Sequence, residues 1–139
     1  MTAADSSVIV AAFASWHEHH EPARRSLRPG ARVVGHSALE AYSVLTRLPA
    51  PHRARDEVVR DFLAARFPDP YLTLDGKGYL DLVRKLAALG ITGGASYDAL
   101  IATTALQADA TLLTCDRRAV DTYQRCGARI SLVQHLDQA

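Results

Sequence analysis

The stretch Gly93-Gly94-Ala95-Ser96-Tyr97-Asp98-Ala99-Leu100-Ile101-Ala102, followed by Thr111-Leu112-Leu113-Thr114-Cys115-Asp116, decides the reading of this chain. Its first half predicts an apolar helix, Ser96 to Gln107, with a carboxylate in the opening turn. Its second half predicts a short apolar strand, Thr111 to Thr114, with a carboxylate directly after it. Helix starts and strand ends of this kind converge at one edge of an α/β sheet, where ligands bind. Two more acids share that setting. Asp5 closes a short, weakly apolar strand candidate, Thr2 to Asp5, and Glu40 lies in another apolar helix. Four acids in semi-apolar surroundings point to a divalent-metal site rather than a solvated face.

Working outward, strand candidates alternate with helical segments. Val8 to Ala14 predicts a helix capped by Ser6 or Ser7, because a hydroxyl accepts the orphan amides of a first turn. Glu18 to Leu27 predicts a second helix, stopped by Pro29-Gly30, and Arg32 to Gly35 a strand. Ser37 with Glu40 three residues on matches a capping box, in a helix ended by Pro49 and Pro51. Arg53 to Phe67 is amphipathic, with Val58, Val59, Phe62 and Leu63 on one face. Tyr71 to Leu74 reads as a strand, and Tyr79, Leu82, Val83 and Leu86 keep helical spacing from Asp75 to Gly90. Arg129 to Val133 is the last strand, after a short helix. With no hairpin signal, this order predicts an α/β protein built on a mainly parallel sheet covered by helices.

The 139 residues suit a single unit, 1–139, long enough to bury roughly 68–70% of the surface its unfolded form exposes. Apolar residues make up 48% and charged residues 22%, so an ordinary globular chain is expected. No apolar run approaches the roughly 20 residues of a membrane span. The first 15 residues carry no Lys or Arg, so the basic region of a secretory signal is missing. Cys115 and Cys126 show no metal-ligand spacing. A reduced, cytoplasmic setting without a membrane partner is the expectation. The net charge is +1, yet residues 16–55 hold seven Arg against three Glu. Such a basic face suits phosphates, and it equally suits arginines that only solvate two helices.

Each candidate acid has a structural alternative. An Asp in a first turn is favoured by the helix dipole alone. Asp98, however, enters an apolar helix, where an unpaired carboxylate costs several kcal/mol or shifts its pKa. Asp5 reads equally as the N-cap of the helix that follows. Glu40 reads as the partner of Ser37 in a capping box, although no basic residue sits at i+4. Asp116 reads also as the cap of the short helix after it. His17, His19 and His20 lack the further ligands of a zinc site and read as a polar helix start. Cys115 has no His placed by motif to activate it. No phosphate-binding loop, dinucleotide fingerprint or nucleophile elbow occurs.

The Asp-Ser-Ser-Val start at Asp5, the Ser-x-x-Glu helix with Glu40, Tyr97-Asp98-Ala99-Leu100-Ile101-Ala102 and Leu113-Thr114-x-Asp116 come in one order and spacing. In this the chain resembles the PIN-domain family, specifically the VapC-type ribonuclease toxins of bacterial toxin–antitoxin pairs. The resemblance covers nearly the whole chain, and the third motif is the most specific. It implies a three-layer α/β/α sandwich with a five-stranded sheet. It also implies that Asp5 and Asp98 bind Mg²⁺ or Mn²⁺ directly, while Glu40 and Asp116 complete the acidic catalytic pocket through the ion's waters. Ser6 and Thr114 match the supporting hydroxyls. Endonucleolytic cleavage of RNA to 5′-phosphate and 3′-hydroxyl ends, a homodimer and a cognate VapB-like antitoxin follow from the same likeness.

The chemistry is coherent with that expectation. Two carboxylates about 4 Å apart repel by roughly 4 kcal/mol at an effective dielectric near 20. A cation relieves this, and magnesium keeps water beside the one or two carboxylates that hold it. An acidic pocket still needs flanking bases to hold a polyanion, and Arg117 and Arg118 beside Asp116 are candidates for RNA contact. Two other classes compete. One is a catalytically inactive scaffold that binds RNA or antitoxin. The other is a phosphoacceptor receiver domain, which wants an early acidic pair and a late Lys; here only Asp5 is early and the last Lys is Lys85.

Overall fold

The computed structural model describes residues 1–134; residues 135–139, which the expected unit includes, lie outside the described residues. Four parallel strands form the sheet: β1 (Thr2–Ala4), β2 (Arg32–Val33), β3 (Thr111–Thr114) and β4 (Ile130–Leu132), in the order β2-β1-β3-β4. The seven helices are α1 (Ser6–Phe13), α2 (His20–Ser26), α3 (Gly35–Arg47), α4 (Asp56–Arg66), α5 (Gly76–Leu89), α6 (Ala95–Gln107) and α7 (Val120–Arg125).

Side-chain alternation along the strands creates two cores. Ala4, Val33 and Leu113 face one layer, packing with Val8, Ile9, Ala41, Leu45 and Val59 of α1, α3 and α4. Their neighbours Ala3, Val34 and Leu112 face the other, with Leu82, Ala99, Ala102, Ala105 and Tyr123 of α5, α6 and α7. Strands buried on both faces need no polar alternation, which is the mark of a parallel sheet between helical layers. The α/β/α sandwich expected from the sequence is therefore the fold.

The sheet has four strands where five were expected. The Tyr71 to Leu74 segment contributes a single parallel bridge, Val34 to Leu72. Pro68 and Pro70 precede it, and Asp75 caps α5 through Gly78 N at 2.7 Å, so the segment is pinned between turns before a ladder can extend. Boundaries also shift elsewhere. The second helix begins at His20 rather than Glu18, because residues 15–19 are turns. The fourth begins at Asp56 rather than Arg53, and Val58 points outward, 46% exposed. α5 ends as expected at Gly90, whose φ of +67° suits glycine at a left-handed C-cap.

Two expected caps are replaced. Helix α1 is capped by Asp5, not by Ser6 or Ser7: its Oδ1 accepts from Val8 N at 3.2 Å. The Ser37–Glu40 capping box does not form, since α3 already starts at Gly35 with Val34 as its cap. Ser37 is buried in the first turn with its hydroxyl unpartnered among the described residues, and Glu40 turns toward another element. Among the described residues no helix is long and apolar enough to cross a membrane.

The packing predicts a sharp contrast between two leucines. Leu112 is fully buried in β3 and Leu39 is 69% exposed on α3. Leu112→Ala is expected to lower stability by about 2–5 kcal/mol. Leu39→Ala should stay within about 0.5 kcal/mol, both read from urea unfolding midpoints at unchanged slope.

Candidate active site

The strand order places β1 centrally, with the chain first moving to β2 on one side and later to β3 on the other. The crevice beyond the carboxyl ends of β1 and β3 is thus the switch point of the sheet, where open α/β folds bind ligands. Asp5 follows β1, and Asp116 follows β3 by two residues. Asp5 N donates to Leu113 O at 3.1 Å, which locks the end of β1 to the end of β3.

Asp5 is 2% exposed. Burial pushes its carboxyl above the usual range, while the hydroxyls of Ser7, Thr114 and Tyr123 and the Val8 amide oppose that shift. Ser7 Oγ donates to Oδ1 at 2.5 Å and Tyr123 OH to Oδ2 at 2.9 Å. The readings of Asp5 as cap and as site residue are therefore not exclusive, since one oxygen caps α1 while the group lies at the switch point. Ser7 also accepts from Cys115 N at 2.8 Å and lies 3.4 Å from Thr114 Oγ1, which accepts from Asp116 N at 3.0 Å. One chain of hydroxyls and amides thus connects the ends of β1 and β3.

Helices α3 and α6 bring the other two acids. Glu40 accepts a hydrogen bond from Ser6 Oγ through Oε1, and its Oε2 lies 3.7 Å from His36 Nε2. Asp98, in the first turn of α6, accepts no hydrogen bond among the described residues. Its carboxyl is pushed up to about 6, first by burial, then by the negative charges of Asp116, Glu40 and Asp5, against a smaller opposing effect of His36. All four acids therefore share one electrostatic neighbourhood. Among the described residues none of them is ion-paired to Lys or Arg. Asp116 is exposed, and its Oδ1 closes the turn after β3 by accepting from Arg118 N at 2.9 Å.

Hard carboxylate oxygens, unneutralised and crowded, are suitable donors for a small divalent cation. Asp98 has open oxygens to offer, whereas those of Asp5 already hold several donors. Among the described residues no three His, Cys, Asp or Glu side chains are placed to ligate one ion together. The set accordingly fits an ion held by one or two carboxylates and water, not a closed protein cage.

The basic candidates lie at the rim. Arg117 and Arg118 are exposed and line a cleft of about 440 Å³ with Glu18, His19, Cys115, Asp116 and Gln134; Arg117 donates to Gln134 at 2.5 Å. Cys115 is no nucleophile, because burial and the charge of Asp5 push its thiol up to about 12. Sequence reasoning missed Tyr123 and His36. Tyr123 is separated from Asp5 by 118 positions, and its ring reads as ordinary core. His36 lies one turn before Glu40 and stacks on Tyr97 with centroids 5.3 Å apart; that i, i+4 spacing was the available signal.

The PIN domain pattern matches residues 3–124 of this sequence. The chain is a PIN-domain protein. Ribonuclease VapC40 of Mycobacterium tuberculosis is 50% identical over 133 residues, covering 96% of this chain and 99% of that one. Ribonuclease VapC27 of the same organism is 41% identical over 120 residues, 86% of this chain and 80% of that one. These relatives place this PIN-domain protein in the VapC-type branch. The structure of FitAB bound to an IR36 DNA fragment shares the fold with a TM-score of 0.73 at 17% identity, covering 99% of both chains. FitAcB from Neisseria gonorrhoeae does so at 0.71 and 19% identity, covering 98% of this chain and 100% of that one. Membership of this family sets the receiver-domain alternative aside. Lys85, the last lysine, accordingly serves structure, donating to Cys126 O at 2.8 Å.

The shifted carboxyl yields a test of the crowding. Asp98 titrates near 6 when folded and near 3.8 when unfolded, so the folded protein binds the extra proton between those values. The cost of ionising Asp98 in the native state is then fully present above pH 6 and vanishes as pH falls toward 4. In chelator, Asp98→Asn is expected to be more stable than the parent by about 1 kcal/mol at pH 8, after discounting for solvent screening. The difference should disappear near pH 4, as followed by thermal melting across pH.

Proposed function

We propose that this PIN-domain protein is a metal-dependent endoribonuclease acting as the toxin of a toxin–antitoxin pair. The observation that carries the reading is the gathering of Asp5, Glu40, Asp98 and Asp116 at the switch point with no Lys or Arg paired to them among the described residues, in a chain half identical to a named ribonuclease. In this reading Mg²⁺ or Mn²⁺ is held by Asp5 and Asp98, with Glu40 and Asp116 reaching its water shell. Bound there, the ion supplies charge neutralisation for a phosphodiester and acidifies water.

The residues of the chain do the remainder. Tyr123, Ser7 and the Val8 amide fix Asp5 in a single orientation. Ser6 holds Glu40 Oε1, leaving Oε2 as the carboxylate oxygen that takes the proton from the attacking water. Attack in line on phosphorus then breaks the bond to the 3′-oxygen, which takes a proton from solvent to become a hydroxyl, and leaves a 5′-phosphate. Arg117 and Arg118 hold flanking phosphates, since the acids themselves repel the RNA. The proposed protein partner is a VapB-like antitoxin that silences the chain by covering these carboxylates.

The decisive experiment is cleavage of a labelled single-stranded RNA with Mg²⁺, with Mn²⁺ and with chelator. Wild type is expected to cut only with metal, and Asp98→Asn to lose about a hundred- to a thousandfold in rate, the scale of removing one preorganised electrostatic group. Folded protein that binds RNA in Mg²⁺ without cutting it would establish the inactive scaffold instead.

A homodimer belongs to the same proposal. Tyr79, Leu80 and Val83 form one outward stripe on α5, 46%, 53% and 62% exposed. A self-complementary contact through such a stripe is the usual geometry of a two-fold dimer. Val83→Glu is expected to convert the dimer to a folded monomer in sedimentation velocity. A parent chain that sediments as a monomer would remove the dimer from this reading.

A further inference from the structure

Four aromatic rings that the acidic site does not use form a continuous path leading away from it. His19 and His17 have centroids 5.7 Å apart, His17 and Trp16 5.9 Å, and Trp16 and His52 4.3 Å. The path begins in the site itself: His17 and His19 line a cleft of about 390 Å³ together with Ser6, Ser7, Cys115 and Asp116. It ends in a second cleft of about 240 Å³, where Trp16 and His52 are joined by Arg53 and Arg55.

Two of these rings are presented rather than packed, while His17 and His19 are half-buried where the path meets the acidic cleft. Trp16 is 49% exposed and His52 is exposed, so neither serves the core. Both loops that carry them are nevertheless held. In the α1–α2 connection, His17 N donates to Ala14 O at 3.0 Å and His19 N to His17 Nδ1 at 3.1 Å. In the α3–α4 connection, His52 N donates to Pro49 O at 3.0 Å and Ala54 N to Leu45 O at 2.9 Å. Cations flank both ends. Arg53 anchors its Nε on Leu48 O at 2.9 Å and makes no ion pair among the described residues, while Arg55 is paired with Glu57. Arg117 and Arg118 stand at the other end, beside His19. The carboxylate nearest the path, Glu18, lies 3.3 Å from His19 Nε2.

We propose that the His19–His17–Trp16–His52 path is a track for single-stranded RNA, on which nucleotides flanking the scissile phosphate stack as the strand leaves the acidic pocket. Successive π-faces beside guanidinium groups are what sequence-tolerant single-strand binding requires, because every base has a face to stack. A duplex cannot use them, since its bases already stack on one another. The track rests on the ribonuclease reading of the neighbouring acids, and it gives Arg53 and Arg55 a role that those acids leave unassigned.

The chain holds one tryptophan, Trp16, so its emission reports the middle of the track directly. Full-length Asp98→Asn protein in Mg²⁺ is titrated with an unstructured single-stranded RNA of about 12 nucleotides, long enough to fill acid site and track together. Emission is expected to fall by more than about half on saturation, as for an indole stacked on a base, and to stay unchanged with the same sequence as a duplex. In the cleaving parent background, Trp16→Ala should raise KM for that RNA about tenfold with kcat within about twofold, and Trp16→Phe should restore most of the loss. Arg53→Ala should reduce the salt slope of binding by about one.

Emission that does not move where anisotropy of labelled RNA reports saturation overturns the track, as does an unchanged KM in Trp16→Ala. A response to an acidic aromatic peptide with none to RNA overturns it as well and makes the path a protein-docking surface. Metal-dependent cleavage by the parent chain, lost in Asp98→Asn, is scored separately. Cleavage without quenching removes the track alone, and quenching without cleavage keeps the track while removing the hydrolase reading.

Discussion

A carboxylate with almost no solvent contact sits at the centre of this molecule, and most of the surrounding structure answers to it. Asp5 is 2% exposed at the carboxyl end of the central strand. An isolated buried charge there would cost several kcal/mol or stay protonated. The hydroxyls of Ser7 and Tyr123 and the amide of Val8 supply what water no longer can. These donors come from α1 and α7, so the group that threatens the fold also ties its two helical layers to the sheet edge. The same constraint explains why Tyr123, nominally a core ring, carries a hydroxyl: Phe would fill the space and leave one Asp5 oxygen without a donor.

Asp98 is arranged on the opposite principle. It has no hydrogen-bond donor among the described residues, and burial first, then the three like charges of Asp116, Glu40 and Asp5, push its carboxyl up to about 6. Selection for stability alone would replace such a group or pair it with arginine. The chain has 16 Lys and Arg, and among the described residues none forms an ion pair with Asp5, Glu40, Asp98 or Asp116. A strained carboxylate retained at a sheet's switch point makes Asp98 a functional-site candidate.

How much of this the sequence carried follows from the range of the interactions involved. Helix α6 and strand β3 were legible almost to the residue, because periodicity and the flanking Gly93-Gly94 are local signals. The four acids were legible as candidates because Asp5 and Asp116 follow strands, Asp98 opens an apolar helix and Glu40 lies within one. The Ser37–Glu40 capping box looked sound locally and failed, since Ser6, 34 positions earlier, competes for the same carboxylate. The fifth strand failed similarly: Tyr71 to Leu74 has strand-like residues, but prolines before it and the Asp75 cap after it leave room for one bridge only. Tyr123 could not be found at all, because nothing within its own helix records a partner 118 positions away.

The small residues of β1 complete the account. Thr2-Ala3-Ala4 looks too short and too weakly apolar for a central strand, yet both alanines are fully buried, one on each face. Ala3 packs in the same core as Ala99, Ala102 and Ala105 of α6, while Ala4 packs with Ala11 and Ala12 of α1. Small side chains on both partners fill these two cores, and Asp98 at the start of α6 feels the charge of Asp5 at the end of β1. Larger residues would bury more apolar area and favour the strand in isolation. β1, weak as a strand in isolation, is thus held by burial on both faces and by its pairing to β2 and β3, and that pairing sets Asp5 at the switch point beside the other acids.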